Sequence, residues 1–207
     1  MHMTTMSTRG SLWRWQSWWP ILVIVVPCTL LNLGGETVRR LLEYDRADIL
    51  RGQWWRVFTG NFVHLGWSHL AEDMAGYTLL YLLLQEVLPA WRVPLLVVLG
   101  ALGVGTGLLL ADPHLSWYLG ISGALNALWI AGAMRLMRQR DWVGWVLAVF
   151  LVAKLTYEQI VGPIPWSVAT TGGPVAVDSH LYGAVTGAVL GLVMVIMPRS
   201  YNWPWRL

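Results

Sequence analysis

Residues 120–137 read GISGALNALWIAGAMRLM, and residues 179–197 read SHLYGAVTGAVLGLVMVIM. Both stretches are apolar and rich in small residues, and each carries one reactive side chain near its start, Ser122 in the first and His180 in the second. A serine alone carries little information in a membrane helix, whereas an ionisable histidine there is rare. At the starts of two apolar helices, the pair predicts a nucleophile and its general base held at one depth in a bilayer.

The composition of the 207-residue chain predicts a polytopic helical membrane protein. Hydrophobic residues make up 56% of it and charged residues 12%, which is about half the charged fraction of a soluble domain. The apolar runs lack the alternation of apolar and polar residues that membrane β-strands show. We therefore expect an all-α fold in which residues 1–207 form a single membrane domain.

Six segments are predicted to span the membrane, because a bilayer core needs roughly 20 apolar residues per helix. They cover residues 18–33, 66–88, 91–111, 120–137, 142–160 and 179–197. The first follows Arg9 and Arg14 and resembles a signal peptide, but no small-residue cleavage site follows, so it is expected to stay as an uncleaved span. Tryptophans near the span ends suit interfacial anchoring rather than a cofactor cage.

The arginines predict the orientation of the chain. With the N-terminus inside, eight arginines fall in cytoplasmic segments and five on the opposite side, all five in the first loop. Because cytoplasmic segments carry an excess of Lys and Arg, this bias places both termini in the cytoplasm. Ser122 and His180 then lie near the outer face.

Two loops on that outer side are expected to border the site. Residues 35–61 form a long amphipathic first loop, which is predicted to lie partly in the membrane interface. Residues 161–177 contain three glycines and three prolines, which is incompatible with a regular helix. We expect this second loop to cover the approach to His180 and to act as a lid.

A glycine face predicts how the two key helices meet. Gly183, Gly187 and Gly191 are spaced four apart on the last span, so a neighbouring helix can approach this face closely. The predicted partner is the small-residue face of the fourth span, formed by Gly123, Ala124, Ala127 and Ala131. Such packing would bring His180 to Ser122; plain close packing with a chance polar pair is the alternative.

The predicted chemistry needs a base and a site for negative charge. A serine hydroxyl is a weak nucleophile that a histidine can activate by taking its proton. The resulting oxyanion needs preorganised donors, and the N–H of Ser122, at a helix start, is one candidate. His69 is another, with Asp73 four residues later on the same helix face. His64 is interpreted as a capping or interfacial residue.

Metal ligation is the alternative reading of His69 and Asp73. The HExxH motif is absent and no further ligand cluster is evident, so neither a metal nor an organic cofactor is expected. Cys28 is the single cysteine, which excludes an intrachain disulfide. No concentrated basic patch is present, so nucleic acid is not an expected partner.

With these motifs in this order, the chain resembles the rhomboid family of intramembrane serine proteases. The resemblance implies a six-helix bundle, a dyad of Ser122 and His180, and Gly120 and Gly123 as the glycines around the nucleophile. It also implies an oxyanion hole that includes His69 and the residue four positions later.

The sequence departs from the family pattern at two positions. Asp73 stands where the family has an asparagine: either its apolar setting keeps it protonated, or it accepts a hydrogen bond from His69 and holds that ring as a donor. The second reading is preferred because it needs no neutral acid. Asn126 stands where rhomboids commonly place a ring-bearing residue near the histidine.

Within the family, the chain looks most like a rhombosortase. The likeness lies in residues 117–125, in residues 154–159 with the Gly162–Pro163 that follow, and in residues 180–184. It implies a protease of the bacterial cytoplasmic membrane that cuts the C-terminal Gly-Gly sorting tails of exported proteins. Hydrolysis and transfer of the acyl group to an amine both stay open.

Lys154 and Glu158 lie four apart in the fifth span, where an unpaired charge costs roughly 2.5–3.5 kcal/mol. One interpretation is a mutual ion pair near the outer end of the span. The other is a family-specific role in substrate handling.

Two other function classes compete with a protease. A rhomboid-like pseudoprotease would bind membrane proteins without cutting them, but such proteins usually lack the serine or the histidine. A small transporter or channel would show repeat symmetry or polar residues along a path, and the polar groups here gather near one end.

Overall fold

A computed structural model describes residues 18–196, with the side chains of residues 18–194. Arg9, Arg14, Arg199 and Arg206, on which part of the predicted orientation rests, lie outside the described residues. The helices and strands of the described part are, in order, α1 (Trp19–Leu33), α2 (Gly35–Leu42), β1 (Tyr44–Asp45), α3 (Arg46–Leu50), α4 (Arg56–Thr59), a 3-10 turn (Gly60–Phe62), α5 (Trp67–Leu84), α6 (Arg92–Ala111), β2 (Trp117–Tyr118), α7 (Ser122–Arg138), α8 (Trp142–Ile160), α9 (Pro165–Thr171) and α10 (Val177–Ile196).

A helix lies within or across each of the six segments predicted as spans, namely α1, α5, α6, α7, α8 and α10. Among the described residues, three helices are long and apolar enough to cross a membrane: α6, α8 and α10. The pair α1–α2, bent by 116°, would add a fourth if it counts as one broken span. That all six helices cross stays a prediction from the sequence.

Helix α7 occupies the centre of the bundle. It packs against α6, α8 and α10, and less extensively against α5. Ten of its 17 residues are buried, whereas α8 buries three of its 19. The apolar residues that α8 exposes suit contact with lipid, so α8 lies at the edge of the bundle and α7 inside it.

The backbones of α7 and α10 touch at glycine positions, where no side chain separates them. A Cβ atom on Gly183 would lie 1.9 Å from the carbonyl oxygen of Gly123, and one on Gly187 would lie 2.2 Å from that of Ala127. A Cβ on Gly191 would meet the flexible end of Met134, 2.7 Å away at Sδ. Only glycine allows this approach, which brings the start of α10 to the start of α7.

The first loop folds back onto the bundle instead of running free. Its strand β1 pairs antiparallel with β2, with Tyr44 opposite Tyr118, so the all-α prediction misses one two-residue ladder. The Arg46 guanidinium donates hydrogen bonds of 3.0–3.3 Å to the carbonyl oxygens of Leu108, Leu109 and Asp112. These carbonyls end α6 and lack partners inside that helix, so Arg46 caps it.

The second loop differs from the prediction that it cannot be a regular helix. Seven of its residues form α9, which starts with Pro165 in its first turn, where the missing N–H costs nothing. Gly172, with φ +71°, ends the helix in the left-handed conformation that glycine favours. The hydroxyl of Thr170 donates to the carboxylate of Glu72 on α5, so α9 is attached to the start of that helix.

Candidate active site

The backbone before α7 presents Ser122 in a fixed position. Gly120 has φ +103°, a conformation that favours glycine, and a Cβ there would lie 2.7 Å from the His69 ring. Its N–H donates to the carbonyl of Gly60 at 3.1 Å. The Tyr118 hydroxyl donates a hydrogen bond of 2.5 Å to the carbonyl oxygen of Gly120. Burial raises the pKa of that phenol, so it stays a donor.

Ser122 and His180 are in hydrogen-bond contact. Ser122 Oγ lies 3.0 Å from Nε2 of His180, and the histidine is buried. Ser122 is also the first residue of α7, where the backbone N–H groups have no partners inside the helix. Ser122 therefore offers two useful groups, a hydroxyl in contact with a possible base and a backbone N–H beside that hydroxyl.

A carboxylate lies on the far side of the His180 ring. Nδ1 of His180 is 2.9 Å from Oε2 of Glu158, and the ammonium of Lys154 is 2.8 Å from the same oxygen. Lys154 Nζ is also 3.2 Å from Nδ1. The sequence predicts the Lys154–Glu158 pair as one of two readings, but its spacing gave no sign that the pair faces His180.

A second polar cluster lies beside the residue that precedes Ser122 and centres on Asp73 of α5. Its Oδ2 accepts a hydrogen bond from the backbone N–H of Ile121 at 3.1 Å. The same oxygen lies 3.1 Å from Nε2 of His64 and 3.4 Å from Nε2 of His69. One backbone N–H and two imidazole nitrogens therefore surround one carboxylate oxygen, and the backbone donor belongs to the residue just before Ser122.

His64 belongs to this cluster, and the interpretation of it as a capping or interfacial residue is wrong. Its side chain is 0% exposed and contacts Asp73, and the N-cap of α5 is Gly66. The His64 and His69 rings meet edge to face with centroids 5.0 Å apart. The Nδ1 atom of each ring is buried without a hydrogen-bond partner in the described part of the chain.

A cavity of about 670 Å³ opens onto both polar clusters. Its wall contains Ser122, His180 and Asp73, and apolar side chains from α5 and α8 supply much of the rest. These last two helices pack only sparsely on each other. The apolar lining residues from them are Leu79, Leu80, Leu83, Leu147 and Phe150. Residues 164, 166, 167 and 171 of the second loop also line the cavity, which places α9 at its border.

The Rhomboid domain matches residues 51–197, a range that includes Ser122, His180, His69 and Asp73. The chain belongs to the rhomboid family. This rhomboid is also similar to RHOMBOID-like protein 6, mitochondrial, of Arabidopsis thaliana, with 26% identity over 179 residues. The match covers 82% of this chain and 53% of that protein, so the chain spans about half the length of that relative.

Membership confirms the predicted family and makes this rhomboid a multi-pass membrane protein from a family of intramembrane serine proteases. The structure brings Ser122, His180, Glu158 and Lys154 into one connected group, and His69, Asp73 and His64 into another. Among residues 18–194, no set of three or more His, Cys, Asp or Glu side chains is arranged to hold a metal ion.

Asn126 lies one helical turn after the nucleophile in this rhomboid. Its Nδ2 donates to the carbonyl of Ser122 at 2.8 Å, while its Oδ1 is buried without a hydrogen-bond partner in the described residues. The side chain therefore braces the first turn of α7, and the residue also lines the cavity.

Proposed function

We propose that this rhomboid is an intramembrane serine protease that cleaves the C-terminal Gly-Gly sorting tails of exported proteins. The main support for protease activity is the 3.0 Å contact between Ser122 Oγ and His180 Nε2, which lies beside an apolar cavity. The likeness of residues 117–125, 154–159 and 180–184 to rhombosortases supports the choice of substrate. We place it in the bacterial cytoplasmic membrane, with six helices across and both ends inside.

In the proposed reaction, Ser122 Oγ attacks the carbonyl carbon near the Gly-Gly segment while Nε2 of His180 takes the hydroxyl proton. The carbonyl oxygen becomes an oxyanion, and the Ser122 N–H and His69 stabilise it. His180 then donates its proton to the leaving amine, and the new N-terminus departs. The acyl-enzyme on Ser122 is released by water, or by an amine in a transfer reaction.

The shape of the cavity supports a substrate that arrives from the lipid. The sparse packing between α5 and α8 leaves an apolar passage for the membrane helix of a sorting tail. Glycines carry no side chain, so a Gly-Gly segment can adopt an extended backbone beside Ser122 with little steric hindrance.

Asp73 acts in this proposal as the holder of the oxyanion donors. Its carboxylate accepts a hydrogen bond from the Ile121 N–H and lies within 3.4 Å of Nε2 of both His64 and His69. A Cβ on Gly120 would meet the Nε2–Cε1 edge of His69, which shows that this edge faces the backbone two residues before Ser122. In this proposal Asp73 holds the His69 ring in place, and the Nε2–H of that ring turns from the carboxylate to the oxyanion when the oxyanion forms.

The substitution Asp73→Asn tests whether the acid is needed. An amide oxygen accepts hydrogen bonds about half as strongly as a carboxylate, so it would hold the Ile121 N–H and the His69 ring less firmly. We expect kcat to fall by about 10–10², with KM little changed, in a cleavage assay on the purified protein in detergent. Unchanged or raised kcat would contradict a role for the acid.

Co-expression with a secreted reporter that ends in a Gly-Gly sorting tail tests the proposed function. The wild-type protein should shorten the reporter, and Ser122→Ala should leave it full length, because the variant has no nucleophile. Ser68→Ala removes an exposed hydroxyl at the start of α5 and should cleave normally. A reporter with Leu-Leu in place of Gly-Gly should stay uncut; equal cutting of both reporters would overturn the proposed specificity.

A further inference from the structure

We infer that Glu158 is a positioning residue that completes a Ser122–His180–Glu158 triad, with Lys154 as its counter-ion. The inference rests on the proposed protease function and adds a third member to the serine and the histidine. Its basis is the chain of contacts from Ser122 Oγ through both nitrogens of the His180 ring to Glu158 Oε2.

The tautomer of His180 decides whether the serine can be activated. Nε2 takes the proton of Ser122 only if it holds a lone pair, so the proton of the neutral ring must sit on Nδ1. That N–H needs an acceptor, and Glu158 Oε2 lies 2.9 Å away. Lys154 has only donors in its charged form, so it cannot serve as this acceptor. Glu158 therefore selects the productive tautomer.

The position of Lys154 agrees with the assignment of Glu158 as the acceptor of the Nδ1 proton. Its ammonium is closer to Glu158 Oε2, at 2.8 Å, than to His180 Nδ1, at 3.2 Å. A donor at Nδ1 would favour the opposite tautomer, with the proton on Nε2 and no base for Ser122. The inference assigns the hydrogen bond of the ammonium to the carboxylate, the nearer of the two atoms, and this leaves Nδ1 free to carry its proton.

The charges in the group explain how a carboxylate can assist catalysis inside an apolar helix. The triad requires a neutral His180, and beside it an ammonium on Lys154 and a carboxylate on Glu158 would give a group with no net charge. A buried carboxylate without a partner would be costly, and the ammonium offsets that cost. When His180 takes the proton from Ser122, the new imidazolium lies directly against the carboxylate.

The two members of the ion pair differ in burial. The Glu158 side chain is 1% exposed, whereas that of Lys154 is 18% exposed. A Lys–Glu pair one turn apart is complete by itself and needs no third contact. Here the acidic member is turned inward onto a histidine of another helix, 22 positions along the chain.

The double-mutant cycle at Lys154 and Glu158 separates positioning from simple charge pairing. Glu158→Gln should lower kcat by about 10²–10⁴ with KM little changed, because the tautomer and the imidazolium lose their support. Lys154→Met keeps the carboxylate and should lower kcat less than about tenfold. The double variant should stay within about tenfold of Glu158→Gln.

A purely structural ion pair predicts a different pattern, in which each single variant is impaired and the neutral double variant recovers. Recovery in the double variant, or more than a tenth of wild-type kcat in Glu158→Gln, would overturn the inference. Glu158→Asp retains a carboxylate on a shorter side chain and should give kcat between the wild type and Glu158→Gln. Glu86→Gln removes an exposed carboxylate after the end of α5 and is the matched control with wild-type kcat.

Proton NMR of the purified protein tests the contact without a substrate. A His180 Nδ1 proton shared with a carboxylate should give a low-field resonance, present in the wild type and in Ser122→Ala and lost in Glu158→Gln. A protein that shows this resonance but cleaves nothing would overturn the proposed function and support the contact. Absence of the resonance from the wild type would overturn the inference.

Discussion

The substitution His180→Ala should nearly abolish the reaction of Ser122 with a fluorophosphonate probe and lower kcat for a cleaved reporter by about 10⁴–10⁶. In the proposed reaction His180 Nε2, 3.0 Å from Ser122 Oγ, is the base, and without it the hydroxyl would keep its proton. The measurement is the rate of probe incorporation into the purified protein, followed by mass spectrometry of the labelled peptide.

Two variants make this experiment specific. Ser122→Ala should take up no probe, and Ser68→Ala, in which an exposed serine is removed, should label like the wild type. Equal labelling of the wild type and His180→Ala would show that the two side chains do not act together. Failure of the wild type to label at all would favour a rhomboid-like protein that binds membrane proteins without cutting them.

The substitution Gly183→Ala should destabilise the protein and separate the catalytic pair. The new Cβ would lie 1.9 Å from the carbonyl oxygen of Gly123, and both groups belong to helix backbones that cannot turn aside. Overpacking of this kind costs about 1–3 kcal/mol, and here α7 and α10 must also move apart. We expect a lower unfolding temperature in detergent and a probe-labelling rate at least tenfold below that of the wild type.

A matched glycine in another helix provides the control. A Cβ on Gly76 of α5 would touch only Leu125 Cδ1, at an ordinary contact distance of 3.6 Å. Gly76→Ala should therefore keep the unfolding temperature or raise it, because alanine is favoured over glycine inside a helix by about 0.5–1 kcal/mol. Equal destabilisation by both substitutions would mean that the contact with Gly123 is not what Gly183 protects.

The helices could be predicted from the sequence because long apolar runs and the spacing of small residues are local properties. The six segments coincide with α1, α5, α6, α7, α8 and α10, with small differences at their ends. The α9 helix escaped prediction because its seven residues lie among glycines and prolines. The proline starts this helix and the glycine ends it, so residues expected to exclude a helix set its limits instead.

The polar contacts of the site were harder to predict because they join side chains that are far apart in the chain. Neither the Lys154–Glu158 spacing nor the position of His64 says which neighbour each side chain will face. The rotation of α8 about its axis points Glu158 at His180, and the turn before α5 folds His64 inward onto Asp73. Both contacts depend on how helices pack, which no local pattern records.

By itself, the sequence determined that this chain forms apolar helices, that its last helix carries a glycine face, and that a serine and a histidine stand at two helix starts. These follow from the hydropathy and size of successive side chains, which act over one or two turns. Only the tertiary structure decided that Glu158 meets the second nitrogen of His180 and that the Ile121 N–H and two histidine rings meet at Asp73. Hydrogen bonds depend on distances of a few tenths of an ångström, and those distances arise only when separate helices are packed together.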